Sequence, residues 1–377
     1  MADKKNFLNA TFVFCGSPMI PNQDKTSRPW VNEGETKKGG KVLSISFGVK
    51  NGGNCVYVES SGFKNDVIKT YDKDNNHFDV KWDDRFDEDK IKEVSQGRRF
   101  IVNLTERKEF LTEWDMIECL KEELPSFDGN IVVRGRYKRT PAKSGSKTPF
   151  YDHYEIRSVV KASEKAQPQH KVKMELFYDK DSIDTSDLKT DKMIHFTGLT
   201  PTYIASESDT LLTPIEMNFN VGAYDTNDEK QKRQLNVILK HLQPKGKGYY
   251  HAKWAVMVIN GAEEVPFSID SLTDAQREFV ECGLKTLEDY RQSYNGTIYS
   301  ERKREMRLFI PDLTGNFANG MVPADYTNRE IEDMTFVQKE DESLESMISQ
   351  ATTTTAKDEA DDESDIDGSD GFDINIF

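Results

Sequence analysis

Leu43, Ile45, Phe47 and Val49 alternate with Ser44, Ser46 and Gly48. Successive side chains of an extended strand point to opposite faces, so this segment has one apolar and one wet face. The same alternation returns in Phe100, Val102 and Leu104, and in Ile215, Met217, Phe219 and Val221. It returns again where Trp254, Val256 and Val258 point one way and Lys253, Ala255 and Met257 the other. Gly52-Gly53, between Val49 and Val56, marks a hairpin turn.

These strands come in a repeated order. Leu111-Thr112-Glu113 opens a helical pattern that carries Ile117 and Leu120 and leads through Asp128-Gly129 to a strand at Ile131. Leu272-Thr273-Asp274 opens a second, carrying Val280 and Leu284 and leading through Asn295-Gly296 to a strand at Ile298. Thr273-x-x-Gln276 is a capping box, and Thr112-x-x-Asp115 is a looser form of it. Upstream, segments 12–20 and 41–50 correspond to segments 193–204 and 213–224. Two copies of one unit follow: antiparallel strands, a helix, then a closing strand or hairpin. A five-stranded Greek-key barrel with a helix between its third and fourth strands has this order, which is the OB-fold. The expected fold is mainly β with some α, as two tandem OB-fold-like antiparallel β-barrels. The first is assigned to residues 1–165, with insertions at 21–40 and 64–96. The second is assigned to residues 170–325, after a linker-like stretch at 163–170.

Charge is distributed unevenly. The chain of 377 residues has a net charge of −15, but residues 329–377 hold 16 of the 66 acids and 3 of the 51 bases. That segment carries −13 and leaves the preceding body at −2. It buries too little apolar surface to offset the entropy of ordering, so residues 329–377 are expected to be a disordered acidic tail. Phe372, Ile374, Ile376 and Phe377 gather at its end, an arrangement that suits a docking peptide. No apolar run has bilayer length and the first residues lack a signal-peptide stretch. Cys15, Cys55, Cys119 and Cys282 are scattered, which argues against a disulfide framework and for a reducing cytoplasm.

Basic residues interleaved with aromatics are the strongest chemical signal in the body. Strand alternation places Arg134, Arg136 and Lys138 on one face and Ile131, Val133 and Tyr137 on the other. Arg139, a turn with Lys143 and Lys147, and then Phe150 and Tyr151 complete a basic hairpin edged with rings. Single-strand nucleic-acid binders need this pairing, because cations track phosphates while ring faces stack on bases. Arg28 and Trp30 put a similar mixture into the loop after the first strand, and Lys247, Tyr249, Tyr250 and Lys253 repeat it in the second unit. Arg302-Lys303-Arg304, interleaved with Glu301 and Glu305, reads equally well as a solvated face.

Catalysis has little support. There is no GxxxxGK[ST] loop, no HExxH, and no complete calcium-loop pattern in segment 365–371. Asp83, Asp84, Asp87, Glu88 and Asp89 could imitate a metal-dependent nuclease site, though adjacent acids on a polar loop are usually solvent-exposed. A non-enzymatic protein without cofactor or metal is expected. A metal-dependent nuclease and a protein-interaction or virion-associated scaffold are the other readings.

With these features the chain resembles the single-stranded DNA-binding proteins of phage and bacterial replication systems. The carrying residues are Asp370-Gly-Phe372-Asp373-Ile-Asn-Ile376-Phe377, an acidic tail with an aromatic end, where Ile376 stands in place of the usual Pro. The resemblance implies OB-fold cores that coat single-stranded DNA without sequence preference during replication, recombination and repair. It also implies a tail that recruits a polymerase, helicase or primase, with no membrane partner, in the cytoplasm of the cell or viral host.

Overall fold

The computed structural model describes residues 7–337 apart from 22–28, 37–38, 143–145, 147, 263, 266, 294–297 and 300. The expectations for Arg28, Lys143, Lys147 and the terminal Phe372, Ile374, Ile376 and Phe377 lie outside the described residues.

The first half runs β1 (Thr11–Met19), β2 (Val31–Glu35), β3 (Lys41–Asn51) and β4 (Asn54–Phe63). Then come β5 (Val67–Tyr71), β6 (His77–Lys81), α1 (Glu88–Glu93), β7 (Phe100–Asn103), β8 (Arg107–Phe110), α2 (Glu113–Glu123), β9 (Ile131–Pro141) and β10 (Phe150–Lys161). The β3–β4 hairpin closes at Asn51 and Asn54, with Gly52 at φ 57° as the turn requires. Five strands pair in a circuit. β1 meets β3 and β9, β3 meets β4, β4 lies parallel to β10, and β10 returns to β9. The alternating set Leu43, Ile45, Phe47 and Val49 points inward, joined by Phe12, Phe14, Val133 and Ile156. Helix α2 is capped by Thr112, which accepts from Asp115 N, and buries Trp114, Met116, Ile117 and Leu120. It crosses β4 so closely that a Cβ on Gly62 would lie 2.2 Å from the Trp114 nitrogen.

The second half runs β11 (Gln169–Tyr178), β12 (Ile183–Asp184), β13 (Met193–Ile204), β14 (Asp209–Asn220), α3 (Glu229–Leu242) and β15 (Tyr250–Gly261). It continues with β16 (Glu264–Val265), α4 (Asp274–Glu281), α5 (Leu287–Ser293), β17 (Ile298–Tyr299), β18 (Lys303–Pro311), β19 (Val322–Pro323) and α6 (Asn328–Met334). A second circuit joins β11 to β13, β13 to β14, β14 in parallel to β18, β18 to β15, and β15 back to β11. Trp254, Val256, Ile215, Met217 and Phe219 fill its interior.

The mainly β expectation holds, with a few helices. Two separate barrels were expected, whereas among the described residues the strands of both circuits belong to one 15-stranded sheet, with β5–β6 and β16–β17 as separate two-stranded sheets. The link is β1, whose residues Thr11–Cys15 pair with β9 on one edge and with β11 on the other. His170, read from sequence as linker, is inside β11 and 1% exposed.

The repeat is real but its register differs from the sequence reading. Segments 193–204 and 213–224 were matched to the first two strands, yet β13 and β14 occupy the places of β3 and β4. The helix between third and fourth strands is α3, not α4. It starts at Asp228, whose carboxylate accepts from Lys230 N and Gln231 N, and seats Leu235, Ile238 and Leu242 on the core. Helices α4 and α5 belong to the excursion between β15 and β18, and among the described residues the strand at Ile298 pairs with β16. Among the described residues no helix is long and apolar enough to cross a membrane.

Candidate nucleic-acid interface

The two circuits meet at Asn54. Its side-chain amide donates to Val258 O at 3.0 Å and lies 3.0 Å from His170 Nδ1, while its Oδ1 accepts from Asn260 N at 2.7 Å. Burial lowers the His170 pKa to about 4, so the ring stays neutral at this seam. Beside the seam opens a cleft of about 690 Å³ between the circuits. One wall is the outer side of β3 and β4, with Ser46, Tyr57 and Glu59, continued by Arg139, Phe150 and Asp152 of the β9–β10 hairpin. The other is Pro214–Glu216 of β14, Val258–Asn260 of β15 and Arg304–Met306 of β18.

Charge within the cleft is partly committed. Asp152 accepts from Tyr137 Oη at 2.7 Å and faces Arg139 at 3.4 Å. Glu59 bonds His153 Nδ1 at 2.6 Å, and this hydrogen bond raises the His153 pKa against the opposing effect of burial. Arg139 spans the circuits, donating to Pro214 O at 2.8 Å and Thr213 Oγ1 at 3.1 Å with its guanidinium over the Phe150 ring. It is therefore a clasp between halves as well as a cation. Arg302, Lys303 and Arg304 are exposed, and none makes an ion pair with a described residue. Arg304 lines the cleft, and Arg302, two residues before it, bears electrostatically on Cys55 and on Tyr57 of the cleft wall. Tyr57 is half-buried on the outer face of β4 and supplies a ring to that wall.

The hairpin residues divide by face. Arg134 and Lys138 are exposed and Arg136 half-buried on the outer side of β9, while Tyr137 points inward at 5% exposure. Lys138 pairs with Glu155. The rings expected beside the cations are not there. Tyr137 packs on Tyr154, Phe150 is buried under Arg139 and Phe336, and Trp30 is in the core at 9% exposure. Alternation had already put Tyr137 opposite the cations, and a ring whose faces are covered offers no stacking platform. Tyr151 is half-exposed.

In the second half Lys247 is exposed, while Tyr250 pairs between Tyr178 and Pro323. Tyr249 packs against the Phe177–Leu212 cluster, and Lys253 faces Asp312 at 3.5 Å. Burial opposes ionisation of Asp312, but Lys173 and Lys253 hold its pKa below the ordinary value. The sequence reading left out Tyr57 and gave Arg302–Arg304 no preference. The signal for Tyr57 was its alternation with Val56 and Val58 on a wet strand face.

The acids of the 83–89 stretch are used locally. Asp84 pairs with Lys90, and Asp87 caps α1. Among the described residues no group of three or more His, Cys, Asp or Glu is arranged to hold a metal ion.

No family model matches the chain, and no curated protein matches it. The wild-type single-stranded DNA binding protein from Thermus aquaticus is similar in structure at 9% identity and a TM-score of 0.28. That match covers 68% of this chain and 87% of the other. A deletion mutant of the same protein matches at 10% identity and a TM-score of 0.27, over 67% of this chain and 87% of the other. Likeness of this degree sets no residue of one chain on a residue of the other.

Proposed function

We propose that the chain binds single-stranded DNA without sequence preference, through the cleft between its two strand circuits. Each circuit has the order of an OB-type barrel, with a parallel pairing of third and fifth strands and a helix before the fourth. The proposed domains are residues 1–165 and 170–325; of the tail assigned to 329–377, residues 329–334 instead lie in α6, which buries Ile331 and Met334 against Phe177 and Leu212, so the proposed acidic tail begins after the last described residues. The carrying observation is the cleft itself: it is walled by the second and third strands of the first circuit, the face on which OB-folds take oligonucleotides. Tyr57 would stack on a base there, and Arg302 and Arg304 would meet phosphates. Lys143 and Lys147, which fall between β9 and β10 in the sequence, belong to the proposal on sequence grounds. In this reading the protein coats strands exposed in replication, recombination and repair, and the tail recruits replication proteins.

The test uses anisotropy of labelled oligo-dT. The slope of log K against log salt should fall by roughly 1.4 on Arg302→Ala with Arg304→Ala, two contacts at about 0.7 each. Tyr57→Ala should cost about 1–3 kcal/mol with the slope unchanged. Binding that ignores salt, or that survives all three changes, would place the strand elsewhere or remove the function.

A further inference from the structure

Strand β9 displays cations on both faces. Arg139 is turned to the cleft, whereas Arg134 and Arg136 are turned to the opposite side of the sheet. That opposite side continues without a break across β1 into the second circuit. Val13 faces both Arg134 and Lys171, and Thr11 faces both Arg136 and Lys173. With strands about 4.8 Å apart and alternate residues about 7 Å apart, the Cα atoms of the four basic residues stand at the corners of a rectangle of about 10 by 7 Å. Val13 and Thr11 lie between them and add no charge. Arg134, Arg136 and Lys171 make no ion pair with a described residue, while Lys173 meets Asp312 at 3.2 Å. Burial, and to a lesser degree the neighbouring Lys173, depresses the Lys171 pKa. Its Nζ lies 4.4 Å from the centre of the Phe309 ring, so an aromatic borders the patch.

This patch is sheet-borne and separate from the cleft, is bounded on the β10 side by Glu155, which faces Arg136 and pairs with Lys138, and its regular spacing suits a repeating anion. We propose that the outer face of β9, β1 and β11 binds the phosphate backbone of a second nucleic-acid segment while the cleft holds the first. One molecule then bridges two strands, or two stretches of one strand. The inference rests on the cleft being the first site, and it adds a function beyond coating: bringing segments together.

Stoichiometry tests it. Short oligo-dT of about eight nucleotides, within the range one OB-fold covers, is titrated into the full chain at low salt and followed by sedimentation. Two oligonucleotides per chain are expected. The variant Arg134→Gln, Arg136→Gln, Lys171→Gln should bind one, with the tighter affinity kept within about twofold, which also certifies its folding. Arg302→Ala with Arg304→Ala should instead weaken the tighter site and leave the second. A single oligonucleotide on the native chain, or two on the glutamine variant, overturns the inference while sparing the cleft. If the glutamine variant loses all binding and the cleft variant none, the cleft reading fails instead. If the second oligonucleotide appears only after residues 358–377 are deleted, the occupant is the chain's own tail and the inference falls.

Discussion

At the residue scale, the seam between the circuits depends on an asparagine and a neutral histidine. Asn54 satisfies a carbonyl of β15, a backbone amide of β15 and a ring nitrogen of β11 at once, and both His170 and Asn54 are buried. An unfolded histidine titrates near 6.5, whereas His170 titrates near 4 because burial disfavours its charge. The unfolded chain therefore takes up this proton first as pH falls. Stability from this group is complete above about pH 6.5 and is lost down to about pH 4, by about 3 kcal/mol in all. His153 acts with the opposite sign, because its pKa is raised, so total stability mixes the two. The informative quantity is the difference between the native chain and His170→Gln. Urea midpoints at pH 7, 5.5 and 4.5 should converge as pH falls. Parallel curves would mean that His170 does not titrate in this window.

Elements show where sequence reading succeeds and where it stops. Alternation located β3, β14 and β15 because one apolar face is written directly into every second residue. Capping located the starts of α2 and α4 because the signal is local. Neither says which helix occupies the slot between third and fourth strands. The capping box at Thr273 drew the assignment to α4, yet α4 buries no side chain fully, whereas α3 seats Leu235, Ile238 and Leu242. Helix slots are set by which strands pair, and pairing is non-local. The difference is measurable. Leu235→Ala or Ile238→Ala should cost about 2–5 kcal/mol in chemical denaturation, as buried truncations do. Replacing 262–302 by a tight turn should keep cooperative unfolding, since Gly261 and Lys303 already face each other across β15 and β18. Loss of cooperativity in that deletion, with normal behaviour of the α3 variants, would restore α4 to the core.

At the scale of the whole molecule, what the sequence could not reveal is that β1 serves two circuits, because its alternation is the same whichever edge it pairs. The location of the tail's root was equally illegible. Phe336 N donates to Leu212 O at 2.8 Å, and its ring meets Phe150 of the cleft wall at 5.9 Å. The last described residues therefore deliver the chain to the cleft, and residues 358–377 that follow carry nine carboxylates. A polyanion tethered at that point competes with phosphates at high effective concentration. Deleting residues 358–377 should tighten oligo-dT binding several-fold at low salt, and the gain should shrink as salt screens both competitors. Removing only Ile376 and Phe377 takes away no side-chain charge, so DNA affinity should stay the same while capture of replication proteins is lost with the apolar anchor. The comparison needs both truncations, one series by anisotropy across salt and one by pull-down with purified replication proteins. Unaltered low-salt affinity in the long deletion, together with full capture by the short one, would reduce the tail to a solubility device.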